Sequence, residues 1–258
     1  MLSELSRVFR LPKGLRAASA RVVCFPFAGG SARSFAGWDA ALQDVAQILP
    51  VELPGRGPRF GEACNEDASS LSLEIADALT ALPDVSCPLL LYGHSMGTIL
   101  AYETARLLAA RRAPVIGLVL TGRHAPHWPG RRRDALSMND AALIEDLRSM
   151  GGTAPEVLAS PELLALMLPV LRSDYRLVEN YRPDPVALRS PLPLPAEIIG
   201  GDRDARNPRD GLEAWREAIS GPVEVSLWQG GHFFIHEHRD ALLARIRRCL
   251  ATWQPPAW

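Results

Sequence analysis

The stretch Pro88–Arg111, PLLLYGHSMGTILAYETARLLAAR, constrains this chain more than any other. Pro88–Tyr92 is apolar without alternation, as expected of a parallel strand covered on both faces. Met96–Arg111 carries the 3.6-residue stripe of a helix. Only Gly93-His94-Ser95 separates the two, so the chain must reverse from strand to helix in one tight turn. The pattern G-x-S-x-G in that context is a strained turn that lifts a serine hydroxyl to a helix N-terminus. Side chains at Gly93 and Gly97 would collide with the neighbouring strand and helix. An ordinary helix cap would explain Ser95 but not both glycines.

The same strand–helix rhythm runs through most of the chain. Strands are predicted at Arg21–Phe25, Ile48–Leu53, Val115–Thr121, Ala196–Gly200 and Val223–Leu227. Helical patterns lie between Phe35 and Val45, over Ser70–Leu82 and Arg209–Ile219, and over His238–Thr252. Strand alternating with helix implies right-handed crossovers and a mostly parallel sheet clad on both sides. A single domain, 1–258, is therefore expected. One segment breaks the rhythm: from about 126 to 194 no strand is legible, and helical patterns at Asn139–Met150 and Pro161–Tyr181 sit between the joints HAPHWPG and RSPLPLP. That is too long for a simple connection. A helical lid over the carboxyl ends of the strands is expected, where open α/β sheets bind ligands; an ordinary pair of crossover helices is the plainer alternative.

A serine hydroxyl is a weak nucleophile until a base activates it and a carboxylate orients the base. Both partners are found after later strands. Gly201-Asp202-Arg203-Asp204 follows one, and Trp228-Gln229-Gly230-Gly231-His232 follows the last. The order Ser, Asp, His, each at a strand end, defines the α/β-hydrolase fold. His232 is the expected base. His94 should pack structurally, and His236 and His238 should serve surface or capping roles; around HFFIHEH no acidic or cysteine ligands are arranged to complete a metal site. Two carboxylates compete: the spacing of glycine, two residues, then acid selects Asp204, which leaves Asp202 to cap or stiffen the loop. For the developing oxyanion, Met96 offers one backbone N–H. The loop Phe27-Ala28-Gly29-Gly30 offers the other, from Ala28 or its neighbour Phe27.

Composition narrows the partners. A formal net charge of -1 removes a global case for nucleic acid or an anionic membrane. Lys13 is the sole lysine, so positive charge is almost all arginine; a GC-rich coding sequence is the leading explanation, and bidentate contact with carboxylates or phosphates the functional alternative. Cys24, Cys64, Cys87 and Cys249 are scattered without a CxxC pair, which predicts free thiols in a reducing compartment and neither disulfides nor zinc. The N-terminal residues lack a signal-like apolar stretch, and no apolar run approaches the roughly 20 residues that span a bilayer. A cytoplasmic monomer without metal or cofactor is expected.

CFPFAGGSARSFAGW, LPGRGPRFGE, YGHSMGTILAYETARLL, GGDRDA and GGHFF together resemble the type II thioesterases that accompany polyketide synthases and nonribosomal peptide synthetases. The resemblance runs over nearly the whole chain. It implies Ser95 as nucleophile, Asp204 as acid, His232 as base and Met96 with Ala28 as oxyanion hole. It also implies a mobile lid and hydrolysis of stalled acyl groups from the phosphopantetheine arm of acyl and peptidyl carrier proteins. Ala205 departs from the proline that relatives often carry after the acid. Within the lid, Met150, Leu163, Leu166, Met167, Leu171 and Tyr175 are candidate acyl-pocket walls, and Phe27, Met150, Met167 and Tyr175 are the expected substrate contacts. Arg123, Arg131, Arg132 and Arg133 would suit an acidic carrier and read equally well as a solvated charge run. A transferase or product-releasing thioesterase on the same fold, and a non-catalytic carrier-binding module, are the competing readings.

Overall fold

The computed structural model describes residues 5, 7–11, 14–130 and 137–255. Six strands form one parallel sheet: β1 (Arg21–Phe25), β2 (Gln47–Pro50), β3 (Leu89–His94), β4 (Val115–Thr121), β5 (Ala196–Gly201) and β6 (Val223–Trp228). Their spatial order is β2-β1-β3-β4-β5-β6, and every neighbouring pair is parallel.

The unalternating apolar runs are explained by the two faces. Val23, Phe25, Leu49, Leu91, Leu118 and Ile198 pack on one side, and Val22, Cys24, Ile48, Leu90, Val119 and Ile199 on the other. Helices α1 (Ala68–Thr80) and α2 (Met96–Ala110) cover the first face through Leu71, Ile75, Leu79, Leu100 and Leu108. The second face is covered by Trp38, Leu42 and the closing helix Arg239–Thr252, which contributes Leu242, Leu243 and Ile246. Burying both faces removes apolar surface worth about 25 cal/mol per Å² from water, which is why central strands can dispense with polar positions.

Two boundaries differ from expectation. The second strand stops at Pro50, because Val51 turns away to bridge Phe9 in antiparallel fashion and the Glu52 N–H donates to the Val8 carbonyl. The pattern over Arg209–Ile219 divides into two short turns, Arg209–Glu213 and Trp215–Ala218, with Trp215 buried and its indole N–H donating to the Arg123 carbonyl.

Residues 122–195 connect β4 to β5, and among the described ones no strand occurs. Their principal helices are α3 (Asp140–Met150) and α4 (Pro161–Asn180). Asn139 caps the first, accepting from the Ala142 N–H, and Ser160 caps the second, accepting from the Leu163 N–H. Leu143, Leu147, Leu168, Leu171 and Tyr175 form a small core between them, which also packs on Ala28. No described helix is long and apolar enough to cross a membrane.

Candidate active site

Four chain segments meet at the carboxyl end of the sheet. Ser95 follows β3 with φ 54° and ψ −115°, a left-handed conformation that a non-glycine residue adopts only when its surroundings force it. The surroundings do so here: a Cβ on Gly93 would lie 2.3 Å from the Gly97 carbonyl oxygen, and one on Gly97 would lie 2.2 Å from that of Phe25. The Ser95 N–H donates to the Thr121 carbonyl of β4 at 2.9 Å, which fastens the turn to the sheet.

Asp204, beyond β5, and His232, beyond β6, complete a line with the serine. Asp204 Oδ2 lies 2.7 Å from His232 Nδ1, and His232 Nε2 lies 2.9 Å from Ser95 Oγ. Burial alone would push the Asp204 carboxyl up. The His232 ring, the Asn207 amide and the Arg206 N–H outweigh burial and hold the pKa at about 2. An ionised Asp204 requires the imidazole proton on Nδ1, where it donates to Oδ2, and leaves Nε2 to accept from the serine. Both groups are almost fully buried.

The two competing carboxylates have separate jobs. Asp202 Oδ1 accepts from the Gly230 N–H at 2.9 Å, linking the loop after β5 to the loop after β6. His94, His236 and His238 are not hydrogen-bonded to Ser95, Asp204 or His232, although the His94 ring lies 5.2 Å from that of His232. His94 is buried, bonded through Nδ1 to Thr121 Oγ1 at 3.0 Å, and burial holds its pKa well below the usual range. The His236 ring stacks on Phe233, and His238 Nε2–H donates to the Gln229 carbonyl.

Phe27-Ala28-Gly29-Gly30 forms a turn after β1, closed by the Gly30 N–H donating to the Phe27 carbonyl at 2.8 Å. Gly29, with φ +75°, supplies the positive dihedral this turn demands. The Gly29 N–H donates to Asp174 and the Gly30 N–H to Phe27; of the other two turn residues, Ala28 touches both cavities that Ser95 lines and Phe27 only the smaller. Met96 heads α2, where the first N–H groups have no partner within the helix.

Those two cavities have different walls. The larger, about 900 Å³, is walled by Arg123, His124, His127, Glu179, Arg182 and Arg206 among others. The smaller, about 480 Å³, is walled by Phe27, Leu147, Met150, Val157, Met167 and Leu171, and also by Ser31, Arg33, Ser34 and Thr153 among others. Ser95, His232, Ala28 and Tyr175 border both. Phe27, Met150, Met167 and Tyr175 thus stand around the serine. Leu163 and Leu166 do not: they lie on the outer side of α4, about half exposed. Arg131, Arg132 and Arg133 lie outside the described residues.

Sequence reasoning missed three contributors. Asn207 donates to Asp204 Oδ2 at 2.8 Å and accepts from the His124 N–H at 3.0 Å, holding the acid from beneath. A polar residue in a loop gives no local signal of this. The Arg206 N–H, next to Ala205, donates to Asp204 Oδ1 at 3.1 Å. Arg56 and Asp174 form a buried ion pair beside the turn at Gly29; the arginine stood in the quoted LPGRG motif, but its partner 118 positions away was invisible.

A parallel sheet with a strained serine turn after a central strand, facing a histidine and an aspartate from two later strand ends, makes this an α/β-hydrolase. Residues 20–250 match the family Thioesterase domain. Thioesterase PikA5 of Streptomyces venezuelae is 36% identical over 218 residues, 84% of this chain and 76% of that protein. Linear gramicidin dehydrogenase LgrE of Brevibacillus parabrevis is 33% identical over 252 residues, 96% of this chain and 94% of that protein. Among solved structures, the type II thioesterase BorB from the borrelidin biosynthetic cluster superposes with a TM-score of 0.84 at 34% identity, covering 94% of this chain and 97% of that one. The chain belongs to the thioesterase family, hydrolases of the serine α/β-hydrolase type.

Proposed function

We propose that this thioesterase hydrolyses acyl groups from the phosphopantetheine thiol of acyl and peptidyl carrier proteins, clearing stalled or aberrant chains during polyketide or nonribosomal peptide assembly. The observation that carries the reading is the unbroken line from Asp204 through His232 to Ser95 at 2.7 and 2.9 Å. The likeness to BorB supports the biosynthetic setting.

His232 Nε2 takes the Ser95 proton as Oγ attacks the thioester carbonyl. The N–H groups of Met96 and Ala28 hold the developing oxyanion, and ionised Asp204 stabilises the imidazolium. The carbon–sulfur bond then breaks and the sulfur takes the proton from His232, so the thiol leaves and Nε2 is free again. Water enters, gives a proton to the same nitrogen and attacks the acyl-serine; the acyl–Oγ bond then breaks as His232 returns that proton to Ser95 Oγ, releasing the free acid and restoring the serine. The smaller cavity, with Phe27, Leu147, Met150, Met167 and Leu171 in its wall, suits the acyl chain. The larger one, with Arg123, Arg182 and His124 in its wall, suits the amide-rich arm and its phosphate. In this reading residues 126–194 act as a lid whose α3–α4 core closes over the acyl chain.

The test is to incubate the protein with several acyl-loaded carrier proteins and follow each by mass. Loss of the acyl group to water, abolished in Ser95→Ala, is expected. Intact acyl-carriers, or transfer of the group to a second thiol, would overturn the proposal.

A further inference from the structure

Asp174 on α4 is a buried carboxylate with three donors. Arg56, from the loop after β2, grips it in bidentate fashion, Nη1 to Oδ2 and Nη2 to Oδ1, each at 2.7 Å. The third donor is the backbone N–H of Gly29, 2.7 Å from Oδ2. Arg56 Nη1 also donates to the Gly30 carbonyl at 3.0 Å. One ion pair therefore holds both sides of the turn that carries Ala28. Leu171, one helical turn before Asp174, comes within 3.2 Å of where a Gly29 side chain would sit, so α4 closes on the turn sterically as well.

Stability alone does not account for this arrangement. Asp174 is 1% exposed and Arg56 8%, and burying both charges costs several kcal/mol, which well-packed apolar residues would avoid. What an apolar pair cannot do is hold an N–H. The peptide plane between Ala28 and Gly29 can flip at a positive-φ glycine, reversing the Gly29 N–H and the Ala28 carbonyl. A charge-assisted bond from Gly29 to Asp174 fixes that plane in one sense; with Arg56 on the Gly30 carbonyl and the Gly30 N–H on that of Phe27, it holds the whole turn, including the Phe27–Ala28 peptide that carries the Ala28 N–H. We infer that Asp174 and Arg56 are positioning residues for the oxyanion-binding turn, so that the hole is assembled only while α4 is seated. The insertion then completes the catalytic geometry as well as covering it. This inference rests on the proposed role of the Ala28 N–H.

The test pairs Arg56→Met/Asp174→Leu, which removes both charges together, with Arg56→Met/Asp174→Asn, which returns an acceptor to Gly29. Tm, kcat and KM on an acyl-pantetheine thioester, and amide hydrogen exchange at Gly29 are measured. The leucine double variant is expected to fold with Tm within about 5 °C of wild type. Its kcat should fall about 10²-fold with KM nearly unchanged, as for loss of an oxyanion donor, and the Gly29 amide should lose protection. The asparagine variant should recover part of the kcat. A folded leucine variant with wild-type kcat would overturn the inference, and so would an unprotected Gly29 amide in the wild-type protein, a readout available even if the variants do not fold. If wild type hydrolysed no thioester while Gly29 stayed protected through Asp174, the functional proposal would fall and the anchoring would stand.

Discussion

Replacing Gly93 by alanine probes the turn on which the site depends. The added Cβ would meet the Gly97 carbonyl oxygen at 2.3 Å, the Gly97 carbonyl carbon at 2.5 Å and the Thr98 nitrogen at 2.7 Å, all backbone atoms of the first turn of α2. Real Cβ contacts essentially never fall below 3.0 Å, so β3 and α2 must part by at least 0.7 Å. Ser95 sits between them and must move too. Its Oγ is 2.9 Å from His232 Nε2, and a shift of that size takes the pair to about 3.6 Å, beyond hydrogen-bond range. Misplacement by about 1 Å costs roughly 10²-fold in rate, and overpacking costs about 1–3 kcal/mol, a fall in Tm of roughly 2–12 °C. Circular-dichroism melting gives the Tm, and a thiol-reactive dye that reports the released thiol gives kcat. Gly61→Ala, where a Cβ meets nothing within 4 Å, serves as the control and should match wild type. A Gly93→Ala protein with unchanged Tm and kcat would refute the steric account of the turn.

Three further outcomes follow from the structure. Asp204 has its pKa lowered to about 2, so its ionised form favours the folded state above about pH 4, and that contribution, about 2 kcal/mol, is lost as pH falls through 2. Urea midpoints between pH 5 and 2 should drop less steeply in Asp204→Asn than in wild type; identical slopes would contradict the shift. Tyr181 donates its hydroxyl to Glu103, whose carboxyl is pushed up by burial, so Tyr181→Phe should cost about 1–3 kcal/mol by leaving that carboxyl without its donor; an unchanged Tm would argue against it. Met150→Trp should fill part of the smaller cavity and lower kcat/KM for long acyl thioesters about tenfold while sparing short ones; equal loss on both would place the acyl chain elsewhere.

The sheet and the serine turn were legible because their signals are local. Leu89–Tyr92 buries alternate residues on opposite faces, so an unbroken apolar run marks a central strand directly, and the elbow announces itself by two glycines around a serine. Boundaries set by distant partners were not legible: Val51 leaves the sheet for Phe9, far back in the chain. The same limit separates Asp202 from Asp204. Both follow the right strand, and only the Gly230 N–H on a neighbouring loop shows that Asp202 is already engaged. Helical spacing placed Leu163 and Leu166 on one stripe with Met167 and Leu171, but a helix shared between a cavity and the exterior has a narrower inward face than its apolar stripe. Asn207 and the Arg56–Asp174 pair carry no periodic signal at all, since each acts through a single contact made by folding.

The central claim is that His232 activates Ser95 for covalent chemistry. Treating the protein with a fluorophosphonate and mapping the adduct by peptide mass tests it most directly. One adduct on the peptide bearing Ser95 is expected, with labelling and thioester turnover each slowed about 10⁴-fold in His232→Ala. An adduct on another residue, or undiminished labelling and turnover without His232, would contradict it.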